Sequence, residues 1–82
     1  MRLRVLYFAA VRDLVARDEE ALDVPVGVRT VADFAGWIAS RHAALAGRMG
    51  SVRIARNEQF ATDDEALAEG DVVALIPPVA GG

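Results

Sequence analysis

The stretch VVALI at residues 72–76 is continuously apolar and is followed at once by Pro77 and Pro78. A short, unbroken apolar run is typical of a strand that is buried in the middle of a sheet. Neither proline can donate a hydrogen bond to a neighbouring strand, so the strand must end there. We therefore expect a central strand at residues 72–76, followed by a flexible C-terminal tail at residues 77–82.

A second strand with apolar side chains on both faces lies at the other end of the chain. RLRVLYF at residues 2–8 has the alternation and the Val, Tyr and Phe content of a strand. The alternation divides its side chains between two faces, with Leu3, Val5 and Tyr7 on one and Arg4, Leu6 and Phe8 on the other. We expect this strand to lie beside residues 72–76 at the centre of the sheet.

The clearest helix begins at Thr30, which forms a capping-box pattern with Asp33. An apolar stripe at helical spacing follows and predicts that the helix continues to Gly47 or Gly50. The stripe consists of Val31, Phe34, Ile38, His42, Leu45 and Met49.

Shorter patterns complete the chain. They predict a short helix at 9–17, a strand at 19–24, a strand at 51–56, a turn at Asn57-Glu58 and a single helical turn at 65–71. A long helix that crosses one face of a small mixed sheet is an α+β arrangement. We expect a single β-grasp, or ubiquitin-like, domain over residues 1–82, with about four to five strands and one main helix.

Composition excludes several classes of chemistry. The 82 residues contain no Cys, one His and no Lys, because all nine basic residues are Arg. Disulfides, thiolate or His-cluster metal sites and lysine Schiff bases are therefore excluded, and we expect no metal site. A net charge of −3 argues against nucleic-acid binding. No apolar stretch approaches the length of a membrane span, so we expect a cytoplasmic protein without a membrane partner.

The tail PPVAGG, residues 77–82, carries no charged side chain. Two prolines favour an extended conformation, and six extended residues reach about 20 Å. Gly81 and Gly82 have no Cβ, so the terminal carboxylate fits a channel too narrow for other residues. The pattern suits chemistry on that carboxylate in another protein's active site. The alternative is an ordinary frayed end, and residue types alone leave both possibilities open.

Three stretches carry a resemblance along the whole chain: VLYFAAVRDL at 5–14, IARNEQF at 54–60 and LAEGDVVALIPPVAGG at 67–82. In these, the chain resembles the small, sulfur-carrier subunits of molybdopterin synthase. A terminal Gly-Gly alone is a weak signal, but its combination with the YFAAVR start and the PPVAGG end is specific. This chain has Arg where members of that family often have Lys, and Arg56 occupies a position that is often apolar there.

The resemblance implies that Gly82 is adenylated by an activating enzyme that consumes ATP and Mg²⁺, and is then converted to a thiocarboxylate. The tail, with Pro77, Pro78, Val79, Ala80 and Gly81, would then enter the large subunit, where the Gly82 thiocarboxylate donates its sulfur to a cyclic pterin precursor. The family's assembly is a heterotetramer, and catalysis belongs to the large subunit. The resemblance thus implies a chain that is not an enzyme on its own and binds no cofactor stably.

Alternation also predicts a surface for partners. If the first and last strands are neighbours, Phe8 and Ile76 share a face at the root of the tail, and Phe60 can join them. The resemblance favours an exposed patch that binds both partners, while the alternative is that all three are ordinary core. Arg12 could border the patch and pair with an acidic partner, or be a solvated helix residue.

We expect the remaining notable residues to have structural rather than functional roles. We expect His42 to be a partly buried histidine rather than a ligand, and Trp37 to cover the edge of the core. The acidic runs at 18–20 and 63–65 are interpreted as solvated.

Other functions stay open. A carrier for thiamine synthesis or tRNA thiolation, or a ubiquitin-like protein modifier, shares the fold and tail, and an interaction module with an incidental tail shares the fold.

Overall fold

A computed structural model of the protein describes residues 1–78 and contains a mixed five-stranded sheet. The strands are β1 (Arg2–Tyr7), β2 (Glu19–Asp23), β3 (Arg53–Arg56), β4 (Gln59–Phe60) and β5 (Val72–Ile76). Their spatial order is β2-β1-β5-β3-β4. Strands β1 and β5 are parallel neighbours, and the other pairs are antiparallel. The first and last strands therefore lie side by side near the centre, as the sequence predicts.

Two α-helices, α1 (Ala9–Val15) and α2 (Val31–Arg41), accompany the sheet, with short 3₁₀ segments at Ala43–Leu45 and Met49–Ser51. Thr30 caps α2 as predicted: its hydroxyl accepts from the Asp33 amide, and the Asp33 carboxylate accepts from the Thr30 amide. Backbone donors from Arg29 and Thr30 hold the pKa of Asp33 below its usual value. The core lies between the sheet and the helices, with Phe34 and Ile38 of α2 fully buried.

The sequence predicts a longer α2 than the structure has. The helix ends at Arg41, and His42 is its C-cap with extended backbone angles. Leu45 is nonetheless fully buried, and Met49 packs against the core, both from the 3₁₀ segments. Their apolar side chains keep the stripe's inward direction although the backbone has left the α-helix, which explains why periodicity alone predicted the wrong end.

Three smaller predictions are also wrong. Residues 65–71 form no helix: Ala66 makes an isolated bridge to Thr30, and a turn follows at Glu69 and Gly70, closed by a bond from the Asp71 amide to the Ala68 carbonyl. The third strand begins at Arg53 rather than residue 51. The first strand ends at Tyr7, because the chain turns into α1 at Phe8, whose amide bonds to the Leu75 carbonyl.

Candidate partner-binding face and tail root

One face of the sheet is covered by helices, and the opposite face carries an apolar groove. Directly paired residues across four strands form a row on this open face: Leu6 of β1, Ala74 of β5, Ala55 of β3 and Phe60 of β4. The two central members are alanines, so the row is low in the middle and high at both ends. The result is a depression of about 260 Å³, which we call the apolar groove. Its lining also includes Phe8, Glu58, Val72 and Ile76.

The structure places the three predicted patch residues together in the apolar groove. Phe8 is 46% exposed and Phe60 is 54% exposed, so neither is an ordinary core residue. Ile76 is partly buried at the end of β5, where the chain leaves the sheet. The interpretation of these residues as core is therefore wrong, and the predicted shared face exists. Their role in binding a partner stays a prediction.

The hairpin that carries Phe60 is held by a network around Asp71. Asn57 and Glu58 both have positive φ angles, +50° and +71°, as the tight turn between β3 and β4 requires. The Asn57 amide group donates to the Asp71 carboxylate at 2.9 Å, and its oxygen accepts from the Val72 amide at 2.9 Å. These bonds fix the turn to the beginning of β5, and with it one end of the apolar groove.

Asp71 is buried, and its carboxylate also accepts from Arg56 Nε at 2.6 Å and from the Ala68 amide at 2.8 Å. Burial alone would raise the pKa of Asp71, but the hydrogen bonds from Arg56, Asn57 and Ala68 outweigh it and hold the pKa below its usual value. Arg56, at a position where the resemblance implies an apolar residue, thus forms a salt bridge with Asp71.

Arg12 does not line the apolar groove. It lies in α1, and its Nε atom is 3.8 Å from an Asp18 carboxylate oxygen. The arginine that the structure places beside the groove is Arg53 of β3. It is paired in register with Ile76, and its guanidinium carbon lies 3.7 Å from the centre of the Phe60 ring. Alternation along β3 is the sequence signal that could have identified Arg53.

A buried polar cluster lies on the helix-covered side of the sheet. Glu20 is only 8% exposed and accepts hydrogen bonds from Tyr7 at 2.5 Å, His42 at 2.7 Å and Arg17 at 2.7 Å. Burial would raise the pKa of Glu20, but the bonds from Tyr7 and His42 lower it below its usual value. The expectation that the run at 18–20 is entirely solvated is therefore wrong at Glu20. The partly buried position predicted for His42 is confirmed.

The root of the tail lies against α1 and the segment after α2. Pro77 and Pro78 line a shallow cleft with Leu14, Arg48 and Val52. Val79, Ala80, Gly81 and Gly82, which the sequence predicts to carry the tail's chemistry, lie outside the described residues. Within residues 1–78, no group of three or more His, Asp or Glu side chains is arranged to hold a metal ion, and no helix is long and apolar enough to cross a membrane.

Comparison with known proteins places the chain in a family. The profile of the ThiS family matches residues 5–82, which is nearly the whole chain. The chain belongs to the ThiS family. A relative from Chlamydomonas reinhardtii, the molybdopterin synthase sulfur carrier subunit, is 37% identical over 84 residues and is matched over 100% of both chains.

Two solved structures extend the ThiS-family comparison. SAMP1 from Haloferax volcanii superposes with a TM-score of 0.85 at 30% identity, over 100% of both chains. A putative molybdopterin converting factor subunit 1 from Pyrococcus furiosus superposes with a TM-score of 0.83 at 36% identity, over 96% of this chain and 99% of that one. The β-grasp fold predicted from the sequence is confirmed by these likenesses and by the five-stranded sheet.

Proposed function

We propose that this chain is the sulfur carrier subunit of a molybdopterin synthase, that a large subunit binds the apolar groove, and that Gly82 carries the sulfur. The observation that carries the proposal is the position of Ile76. It lines the groove and is also the last strand residue before the tail, so a partner seated on the groove is beside the start of the tail. Full-length similarity to a molybdopterin synthase sulfur carrier subunit supports it.

The chemistry takes place on the terminal carboxylate. In an activating enzyme, a Gly82 carboxylate oxygen attacks the α-phosphorus of ATP, with Mg²⁺ present, and pyrophosphate leaves. Hydrosulfide, supplied by a sulfur donor, then attacks the Gly82 carbonyl carbon, the bond to AMP breaks, a proton is released, and a thiocarboxylate remains. The tail next enters the large subunit, where a pterin precursor takes the sulfur and water restores the carboxylate. A channel that excludes water protects the thiocarboxylate until that step.

The chain acts as a carrier, and catalysis belongs to its partners. Within residues 1–78, the closest approach to a catalytic set is Tyr7, Glu20 and His42, but Glu20 is buried and its hydrogen bonds go to protein groups. Six residues beyond Ile76 can span at most about 20 Å when extended, which is enough for the reacting carbon to enter another protein's site while the groove stays at that protein's surface.

A ubiquitin-like protein modifier is the second candidate function. It is favoured by the likeness to SAMP1, a small archaeal modifier protein, at 30% identity over the whole chain. The two functions differ in what receives the activated tail. A carrier transfers sulfur to a small molecule and is released with a terminal carboxylate, whereas a modifier becomes covalently attached to an amine of another protein.

Deletion of Gly82 tests the proposal. We expect the deletion variant to bind the large subunit with the wild-type affinity, because the apolar groove is intact, and to transfer no sulfur to the pterin precursor. The wild-type chain should bind and transfer. Sulfur transfer by the variant, or failure of the wild-type chain to bind the large subunit, would contradict the proposal. Covalent adducts with other proteins in place of sulfur transfer would favour the modifier.

A further inference from the structure

The arginines of this chain divide into two groups. Six of the nine make a salt bridge to an acidic residue, namely Arg2, Arg4, Arg12, Arg17, Arg41 and Arg56. Within residues 1–78, the other three have no carboxylate within 4.0 Å: Arg29, Arg48 and Arg53. All three are exposed. In a chain with a net charge of −3, these three exposed arginines are the positions at which an anionic partner could bind.

Two of the three lie at the root of the tail. Arg53 is paired in register with Ile76, the last residue of β5, and its guanidinium group lies over the exposed Phe60 ring. Arg48 lines the same cleft as Pro77 and Pro78, the first two residues of the tail. The chain therefore leaves the sheet with Arg53 on the strand beside it and Arg48 in the cleft that Pro77 and Pro78 line.

The third arginine lies at the opposite end of the sheet. Arg29 shares a cleft with Met1 and Pro25. Strands β1 and β5 are parallel, so the beginning of β1 at Met1 and the end of β5 at Ile76 are at opposite ends. Arg29 thus has the same charge and exposure as the other two but is remote from the tail, which makes it a natural control.

The charge along the apolar groove also has a direction. Glu58 lines the groove near the beginning of β5, where the Asn57 amide bonds to the Val72 carbonyl. Arg53 lies at the other end of β5, beside Ile76. A groove with an acidic group at one end and a basic group at the other favours one orientation of a partner over its reverse, because like charges oppose each other in the wrong orientation.

We infer that Arg48 and Arg53 pair with carboxylates of the large subunit at the mouth of the channel that receives the tail. The inference rests on the proposed function. Phosphates of ATP are the other anions that a carrier tail approaches, but the reacting carboxylate is as much as about 20 Å beyond Ile76. Arginines at the root of the tail therefore remain at the channel's entrance, where only the surface of the partner protein can reach them.

Charge pairs at the border of an interface affect how fast the two proteins associate and in which orientation they approach each other. Charges at the border of an interface mainly change the association rate constant and its dependence on salt, while the apolar contact sets the lifetime of the complex. The two arginines would therefore direct the tail toward the channel before the groove is buried. Their effect should be strong at low ionic strength and be screened at high ionic strength.

The test measures association of the full chain with the large molybdopterin synthase subunit from the same organism, by stopped flow, over a range of NaCl concentrations and without ATP. The double variant R48Q/R53Q removes both charges, R48K/R53K keeps them, and R29Q is the matched control. We expect R48Q/R53Q to associate roughly three- to tenfold more slowly than wild type at low salt. The difference should vanish at high salt, and R48K/R53K and R29Q should associate like wild type.

Two results would overturn the inference while the proposed function stands. One is that wild type binds and R48Q/R53Q associates at the same rate at every salt concentration. The other is that R29Q slows association as much as R48Q/R53Q does per arginine removed. The slower association would then be an effect of net charge alone. If wild type does not bind the large subunit at all, the proposed function is contradicted, and the inference falls with it.

Discussion

The Tyr7 hydroxyl donates a hydrogen bond of 2.5 Å to the buried carboxylate of Glu20. This bond joins β1 to β2 beneath α2, and His42 and Arg17 complete the set of donors. Burial and the neighbouring carboxylate together raise the pKa of Tyr7 above its usual value, so the phenol stays protonated and remains a donor. Tyr7 precedes Phe8, so the same bond fixes the end of β1 from which Phe8 extends to the apolar groove.

Glu20→Gln should destabilise the fold and reduce its sensitivity to acid. The pKa of Glu20 is lowered in the folded state, so its contribution is present above the unfolded value of about 4.3 and is lost as the pH falls below it. At pH 7 we expect the free energy of unfolding to fall by about 1–3 kcal/mol, because buried donors lose a charged acceptor. Urea unfolding at pH 7 and at pH values below about 4 measures both effects.

Glu19→Gln is the matched control, since Glu19 is exposed and pairs with Arg4 on the surface. Its removal should cost less than about 1 kcal/mol and leave the loss of stability in acid unchanged. Equal slopes of stability against pH in wild type and Glu20→Gln would show that Glu20 is not a source of the acid sensitivity.

Phe8→Asp should abolish binding to the large subunit while the chain stays folded, and Ile76→Asp should do the same. Phe8 is 46% exposed and is the N-cap of α1, a position at which Asp is favoured, so folding tolerates the change. A buried, unpaired carboxylate in the interface should weaken binding more than about 100-fold. Calorimetry measures the affinity and circular dichroism the fold. An unfolded variant would mean that the residue serves the core instead.

Val26→Asp is the control for that experiment, because Val26 is an exposed apolar residue, 85% accessible, outside the apolar groove. It should bind the large subunit with the wild-type affinity. A comparable loss for Val26→Asp would show that the decrease comes from added negative charge rather than from the groove.

Ala74→Leu should block docking by filling the apolar groove. Ala74 lies in the middle of the low row between Leu6 and Phe60, and the depression has a volume of about 260 Å³, so the larger side chain fits without displacing the core. We expect a change in stability below about 1.5 kcal/mol and a loss of affinity of at least about tenfold. Ala21→Leu, on the exposed β2 edge, is the control. Unchanged affinity for Ala74→Leu would mean that the partner does not enter the groove.

Asn57→Ala should loosen the β3–β4 hairpin. The substitution removes the bonds to Asp71 and Val72 and places Ala at a φ of +50°, which non-glycine residues other than Asn and Asp rarely adopt. We expect the free energy of unfolding to fall by about 2 kcal/mol or more, measured by urea denaturation. Gln59→Ala, on the exposed β4, should change it by less than about 0.5 kcal/mol. Equal effects would show that the turn contributes little.

Much of the fold follows from local pattern and polarity. The two most apolar strands were predicted to be central neighbours, and the alternation along β1 and β5 predicted that Phe8 and Ile76 share a face. Both are confirmed, because a sheet face is set by a strict period of two and one buried face fixes the register. The capping box at Thr30 and Asp33 is confirmed for a similar reason, since it depends only on neighbouring residues.

The sequence-based predictions fail where contacts between residues remote in sequence determine burial or helix ends. Glu20 lies in an acidic run that is otherwise solvated, and only the fold brings Tyr7 and His42 to it. Periodicity predicts an end of α2 that is too late, because Leu45 remains buried after the helix has ended at Arg41. The sequence does not bring Arg53 to the patch, because its paired residue Ile76 is remote in sequence and the Phe60 ring lies diagonally across the β3–β4 pair.

The most direct test of the account is the intact mass of the chain after incubation with its activating enzyme, ATP, Mg²⁺ and a sulfur donor. The account predicts a gain equal to the replacement of one oxygen by sulfur, located at Gly82 by fragmentation and absent when Gly82 is deleted. A chain that keeps a plain carboxylate under these conditions, or a variant without Gly82 that still acquires the sulfur, would contradict it.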